Sequence, residues 1–239
     1  MEQAKEISLI ISRSSSKEKR HFQEFKVPLQ KGMTVLDALI YAKESLDHSI
    51  AIRYSCRMAV CGSCGMKVNG RPMLACYTQI SELKSNEIKV EPLDNCPIIR
   101  DLVTDFAGFF SHHKSVHPYL IRNDAKEQDN PRREFLQKPE EVEKYLQYSY
   151  CIKCGLCYSA CPTVAADKEF PRPQALAQAY RYIADSRDEG IQKRIDAIDT
   201  SHGIARCHFA GTCSSVCPKG IDPAQGIQFL RRYTLSLKR

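Results

Sequence analysis

Short apolar runs and longer helical stripes divide this chain into two regions of different character. Ile7-Ser8-Leu9-Ile10-Ile11 and Phe22-Gln23-Glu24-Phe25-Lys26-Val27 have the length and the β-branched and aromatic content of strands. Thr34 then reads as a helix N-cap, with Asp37 three residues on as its capping-box partner. Val35, Leu36, Leu39, Ile40 and Leu46 form the apolar face of that helix at helical spacing. Residues 66–73 predict a hairpin turned at Asn69-Gly70, a pair that tolerates the two positive φ angles of a type I′ turn. Ile88-Lys89-Val90 predicts a closing strand. Further along the strand signals cease, and helices are expected at 98–109, 139–149, 174–185, 188–199 and 223–236, two of them started by Pro173 and Pro223. The polar stretch 122–138, with Pro131 and Arg132-Arg133, reads as a surface loop. The expected fold class is α+β: strands around one helix over residues 1–105, then an all-helical domain over 106–239.

Composition sharpens this picture. The chain has 239 residues, 43% hydrophobic and 26% charged, as a globular protein does. No run of 18 apolar residues is present, so no membrane-spanning segment is expected. Met1-Glu2-Gln3-Ala4-Lys5-Glu6 has no apolar stretch behind it, so no secretory signal is expected either. The net charge is +7, of which +2 falls on residues 1–105 and +5 on the remainder. An excess spread so evenly describes a solvated basic surface rather than a nucleic-acid footprint, and leaves room for an acidic partner or anionic headgroups. Twelve cysteines are many for a chain without signs of secretion, and in a reducing compartment they point to metal ligation rather than disulfides.

The cysteines fall into three groups plus Cys96. The first group, Cys56-x4-Cys61-x2-Cys64-x11-Cys76, has the spacing of a plant-type [2Fe–2S] site. One short loop presents three thiolates, and a fourth arrives from beyond a hairpin. Gly62, Ser63 and Gly65 are small enough to let backbone N–H groups approach the sulfurs. A zinc ribbon would require a second C-x2-C, and none occurs before position 151.

The second group is Cys151-x2-Cys154-x2-Cys157-x3-Cys161-Pro162, the run of two-cluster bacterial ferredoxins, in which the fourth cysteine ligates the other cluster. The third, Cys207-x5-Cys213-x3-Cys217-Pro218, repeats its offsets of 0, 6 and 10 and the trailing proline, but carries Ala210 where the second run has Cys154. Cys151, Cys154, Cys157 and Cys217 therefore suffice for a [4Fe–4S] cluster. Cys161, Cys207 and Cys213 make only three ligands, which suits [3Fe–4S]. Cys96 has no partner in these patterns and reads as a small buried hydrophobe.

Taken in order, Ser55–Met66, Asn69-Gly70-Arg71-Pro72, Leu74-Ala75-Cys76, Pro97–Asp105 and Cys213–Gly220 resemble the iron–sulfur subunit of the succinate dehydrogenase and fumarate reductase family over nearly the whole chain. The resemblance implies a β-grasp ferredoxin domain followed by a helical ferredoxin-like domain. It implies an electron-transfer subunit of succinate:quinone oxidoreductase (respiratory complex II), relaying electrons between a flavoprotein with covalent FAD and a membrane quinone. The anchor subunits, which in this family often carry haem b, would hold it peripherally at the cytoplasmic face of the cell membrane. Dicarboxylate chemistry then belongs to the flavoprotein, and no catalytic residue is expected here. In the family the quinone lies near the [3Fe–4S] cluster, which on this chain singles out Pro162, His208 and Ala210. His112, His113 and His117 lie on a polar stretch and are expected to be solvated. Many ubiquinone-reducing members carry a Trp where this chain has Ala166, and no Trp occurs anywhere in it, which leaves menaquinone or a differently built anchor open. Cys64 stands where some members have Asp. The working direction, succinate oxidation or fumarate reduction, also stays open.

Two other readings compete. Related two-domain proteins serve thiol- or heterodisulfide-linked reductases; the missing ligand at 210 and the full-length match oppose that. A zinc-stabilised nucleic-acid binder is opposed by the Cys-Pro endings, the x4 spacing and the lack of an interleaved aromatic–basic stripe.

Overall fold

In the computed structural model, which describes residues 6–15 and 19–237, the first apolar runs become a sheet. Met1–Lys5, part of the stretch on which the absence of a secretory signal was read, lie outside the described residues. The elements of the first region are β1 (Glu6–Arg13), β2 (His21–Pro28), α1 (Val35–Tyr41), β3 (Gly65–Val68), β4 (Arg71–Leu74), β5 (Glu87–Glu91), β6 (Ile98–Arg100) and β7 (Val103–Thr104). The first five strands form one mixed sheet in the order β2-β1-β5-β3-β4. β1 runs antiparallel to β2, with Leu9 opposite Phe25, and parallel to β5, with Leu9 beside Ile88 and Ile11 beside Val90. The two-residue period puts Ile7, Leu9, Ile11, Val27, Met66, Val68, Ile88 and Val90 in the core. α1 adds Val35, Leu36, Ala38 and Leu39 to it.

Local chemistry accounts for the turns. Thr34 accepts from the Asp37 N–H while the Asp37 carboxylate accepts from the Thr34 N–H, a complete capping box. Asn69 and Gly70 have φ of 47° and 80°, as a type I′ turn requires. Two expectations fail in this first region. Leu46 is exposed, because α1 opens at Ala42–Leu46 into a π-helical turn closed by Asp47 N–H to Ala42 C=O, and the extra residue per turn carries Leu46 off the apolar stripe. The segment 98–109 is not one helix. It forms the β6–β7 hairpin and then enters a helix, because Asp101, buried and with φ 47°, accepts from the N–H groups of Ser14 (2.9 Å) and Ala51 (2.8 Å) beside Arg13. Apolar spacing carries no trace of a buried carboxylate that pins a turn.

The remaining elements are α2 (Ala107–Ser115), α3 (Ala125–Asp129), α4 (Pro139–Glu143), α5 (Leu146–Ser149), α6 (Leu156–Ser159), α7 (Pro162–Ala166), α8 (Pro173–Ile183), α9 (Ile191–Ile198), α10 (Thr212–Ser215) and α11 (Pro223–Leu237). Pro173 and Pro223 begin α8 and α11. The expected helix 139–149 is broken into α4 and α5 at buried Tyr145, whose hydroxyl donates to the Gln137 side chain at 2.7 Å. α3 interrupts the polar stretch 122–138, which is otherwise largely exposed.

The chain divides into two compact units. The first comprises residues 1–107 with Ile152–Ala160; the second comprises Gly108–Cys151 and the rest from Cys161. Among its described residues the second unit is helical. Its core gathers Tyr148, Phe170, Leu176, Ile195, Ile227 and Leu230, and Arg194 is fully buried against Asp188. No helix among the described residues is long and apolar enough to cross a membrane.

Candidate cluster-binding sites

In the first unit Cys56, Cys61, Cys64 and Cys76 belong to one loop and the end of the β3–β4 hairpin. The loop is held in an unusual backbone: Arg57, Ala59 and Gly62 have φ of 56°, 57° and 73°. Alternating left-handed residues turn successive N–H groups to one side, making a concavity suited to negative charge. Cys56 Sγ accepts from the N–H groups of Met58, Val60 and Cys61 at 3.3–3.4 Å, and Cys76 Sγ from that of Ala59 at 3.4 Å. Cys61 Sγ lies 2.9 Å from the Ser63 hydroxyl. This bond, with backbone N–H groups of Cys56 and Ser63, lowers the Cys61 thiol to about 6, whereas burial pushes Cys64 up to about 12. Thiolates must form for iron to bind, so loading such a site releases protons.

The glycines do different work from that expected. The N–H···S bonds come chiefly from residues 56–61. A Cβ on Gly62 would lie 2.9 Å from Cys154 Cβ, and one on Gly65 3.0 Å from the Cys154 carbonyl oxygen. Both are small because the run 152–160 packs against them.

The repeat seen among the cysteines extends to the backbone. Two and four residues after Cys151, Lys153 and Gly155 have φ of 54° and 77°; two and four residues after Cys207, Phe209 and Gly211 have φ of 55° and 72°. Gly155 and Gly211 then cap the one-turn helices α6 and α10. Cys154 and Ala210 thus occupy equivalent positions between two left-handed residues. In the second unit a small cavity is lined by Cys161, Cys207 and Cys213 together with Ala210, Phe170 and Ile227. Burial pushes the Cys213 thiol up to about 11 and raises that of Cys161. Pro162 also lines the cavity, whereas exposed His208 does not. Cys154 and Cys157 belong to the first unit, and Cys151 and Cys217 to the second.

Among the described residues no three His, Cys, Asp or Glu side chains are grouped for a single metal ion. Iron–sulfur clusters do not ask for such a group, since each iron takes at most two of the cysteines. The donor set is all thiol, ringed by N–H donors at the first loop and by apolar side chains at the cavity, and it fits clusters.

Two family models match the chain: a 2Fe-2S iron-sulfur cluster binding domain over residues 8–111 and a 4Fe-4S dicluster domain over 147–221. The fumarate reductase iron-sulfur subunit of Mycobacterium tuberculosis is 45% identical over 215 residues, 90% of this chain and 85% of that protein. This chain belongs to the iron–sulfur subunits of the fumarate reductase and succinate dehydrogenase family. The corresponding subunit of Haemophilus influenzae fumarate reductase is 44% identical, over 87% of this chain and 84% of its own. The mitochondrial succinate dehydrogenase [ubiquinone] iron-sulfur subunit of Candida glabrata is 37% identical, over 90% and 85%. A chain of the Mycobacterium smegmatis Sdh1 complex in the apo form has the same fold, with a TM-score of 0.87 at 23% identity over 98% of both chains. The iron–sulfur subunit is the electron-transfer part of an oxidoreductase complex, with a 2Fe–2S ferredoxin domain followed by a 4Fe–4S domain.

One polar residue near a cysteine escaped the spacing argument. Gln174, 2% exposed, lies with its Nε2 3.9 Å from Cys151 Sγ and 3.2 Å from His113 Nδ1. Its only mark in the sequence is a polar side chain directly after the helix-starting Pro173. The same contact corrects the reading of His113, which is buried rather than solvated; His112 is half-buried too, and burial lowers its pKa.

Proposed function

We propose that Cys56, Cys61, Cys64 and Cys76 hold a [2Fe–2S] cluster in a β-grasp domain, Cys151, Cys154, Cys157 and Cys217 a [4Fe–4S] cluster, and Cys161, Cys207 and Cys213 a [3Fe–4S] cluster. The clusters supply one-electron carriers. The chain holds them, surrounds them with N–H donors and apolar walls, and so relays electrons between an FAD-bearing flavoprotein and a membrane quinone. The observation that carries this reading is the repeated pair of left-handed residues, with Cys154 between one pair and Ala210, on the wall of the three-cysteine cavity, between the other. The loop position that carries Cys154 in one run carries Ala210 in the other and offers no ligand there, which suits a cluster one iron short.

The exposed Met58 and Val60, on the loop that carries Cys61, suit contact with the flavoprotein. Pro162 and Ala210 on the cavity wall, with His208 beside them in the chain, mark the quinone end. Anchor subunits would hold the chain peripherally at the cytoplasmic face of the cell membrane. Succinate oxidation and fumarate reduction would both use this relay, and the fumarate reductase names at 44–45% identity support the second as the working direction.

Metal analysis and electron paramagnetic resonance of the purified complex test the proposal. Nine irons per iron–sulfur subunit are expected, the total of the three clusters. A [3Fe–4S] signal should appear in the oxidised complex and a [2Fe–2S] signal on mild reduction. Eight irons or fewer, with no oxidised [3Fe–4S] signal, would overturn the ligand assignment.

A further inference from the structure

His202 lies between two carboxylates, its Nδ1 2.9 Å from Asp167 and its Nε2 3.5 Å from Glu169. These residues join the two chain segments that lead to the three-cysteine cavity. Asp167 caps α7, which starts directly after Cys161; its N–H donates to the Thr163 carbonyl, and its own carbonyl accepts from Phe170. Thr163 and Phe170 both line the cavity. On the other segment His202 precedes the short turn Ile204–Arg206 that delivers Cys207. Asp167 is six residues from Cys161, or about 9 Å at the helical rise. The dyad of His202 and Asp167 is therefore about one screening length from the cavity, which damps but does not abolish the effect of a charge change there. His202 and Asp167 are part-exposed, with side chains 40% and 19% accessible, so water can exchange protons with them.

We infer that His202 is a redox-linked proton site, taking up one proton when a cluster held by Cys161, Cys207 and Cys213 gains one electron. This inference rests on the ligand assignment proposed above. Asp167 is an acceptor, so the single proton of the neutral ring sits on Nδ1, and the added proton goes to Nε2, facing Glu169. The electron comes from the preceding cluster of the relay and the proton from solvent. The sum adds one electron and one proton, leaving the net charge of the region unchanged. The other charged groups facing the dyad are Glu169 and Arg206; Arg206 acts on Asp167 electrostatically and is held by a 3.0 Å bond from its Nε to the Ser201 carbonyl. Lys168 and Asp199 lie on the same two segments, and the buried Arg172 donates to the Lys168 and Phe170 carbonyls. A neutral residue at 202 removes the proton site and leaves every cysteine in place.

The test is a redox titration of the [3Fe–4S] signal in the isolated complex, followed by paramagnetic resonance from pH 5.5 to 8.5, in the unaltered protein and in the His202→Gln and Asp167→Asn variants. The unaltered potential should fall with rising pH. A tenfold gain in proton affinity on reduction corresponds to about 59 mV between the acid and alkaline limits. His202→Gln should flatten that dependence and Asp167→Asn should displace it to lower pH, while the [2Fe–2S] potential stays the same in all three. A potential in the unaltered protein that does not vary with pH, or a His202→Gln variant that keeps the full variation, overturns the inference. Absence of any oxidised [3Fe–4S] signal from the unaltered complex overturns the ligand assignment itself.

Discussion

Gly62 and Cys154 are in direct contact: a methyl group on Gly62 would stand 2.9 Å from Cys154 Cβ and 3.0 Å from its Cα. The loop of the first cysteine group and the loop of the second are thus packed backbone to backbone within the first unit. Electron transfer rewards short separations, and a glycine at this point lets the two loops approach as closely as backbones can.

Gly62→Ala meets two obstacles. Its φ of +73° costs a residue with a side chain about 1–2 kcal/mol, and the crowding against Cys154 about 1–3 more. Gly32→Ala is the control, since Gly32 has a similar φ of +76° but nothing within 4 Å of the added methyl. Thermal unfolding of the cluster-loaded protein should show a clearly larger loss for Gly62→Ala. Equal losses for the two variants would mean that the contact with Cys154 is unimportant.

Ala210→Cys places a thiol between Phe209 and Gly211, where the equivalent residue of the other run is Cys154. The expected outcome is a [4Fe–4S] centre and loss of the oxidised [3Fe–4S] signal. An unchanged oxidised spectrum would disprove the pairing of the two runs.

Acid should weaken the first unit through Asp47. Its carboxylate accepts from the Ser49 hydroxyl and N–H and from Arg13 at 2.6–2.9 Å, and these bonds hold its pKa well below the usual range. A carboxyl whose folded pKa is depressed stabilises the fold fully above its unfolded pKa of about 3.9, and that stabilisation declines below this value and is lost as pH falls through the depressed folded pKa. Asp47→Asn should cost about 1.5–3 kcal/mol at pH 7, and the gap from the unaltered protein should narrow toward pH 3. Denaturant unfolding of both proteins in parallel measures it; a gap that widens in acid would reverse the assignment.

Arg194 is fully buried. It pairs with Asp188 at 2.6 Å and donates to the carbonyls of His117 and Tyr119. Arg194→Ala leaves a buried carboxylate and two carbonyls without this partner, a loss of about 3–5 kcal/mol. Arg194→Lys should recover little of it, because an ammonium cannot reproduce the planar fork. Melting temperatures of the three proteins decide the point.

Much of the molecule was legible in the residue order. Strand alternation, the Thr34–Asp37 box, the Asn69-Gly70 turn and the prolines of α8 and α11 are local, and local rules find them. The cysteine runs and their repeat were legible for the same reason, since their spacing is set within short loops. Leu46, Asp101 and His113 were misread because their fates depend on partners far away in the chain or on one extra residue in a helical turn.

The sequence by itself determined the family, the sheet-then-helices order and the three groups of thiols, since covalent spacing and hydrophobic period act over a few residues. Only the tertiary structure decided that Gly62 abuts Cys154, that Gln174 reaches Cys151, and that His202 joins Asp167 to Glu169. Each of these contacts pairs residues from 23 to 92 positions apart, and such contacts arise only when packing brings distant backbone together.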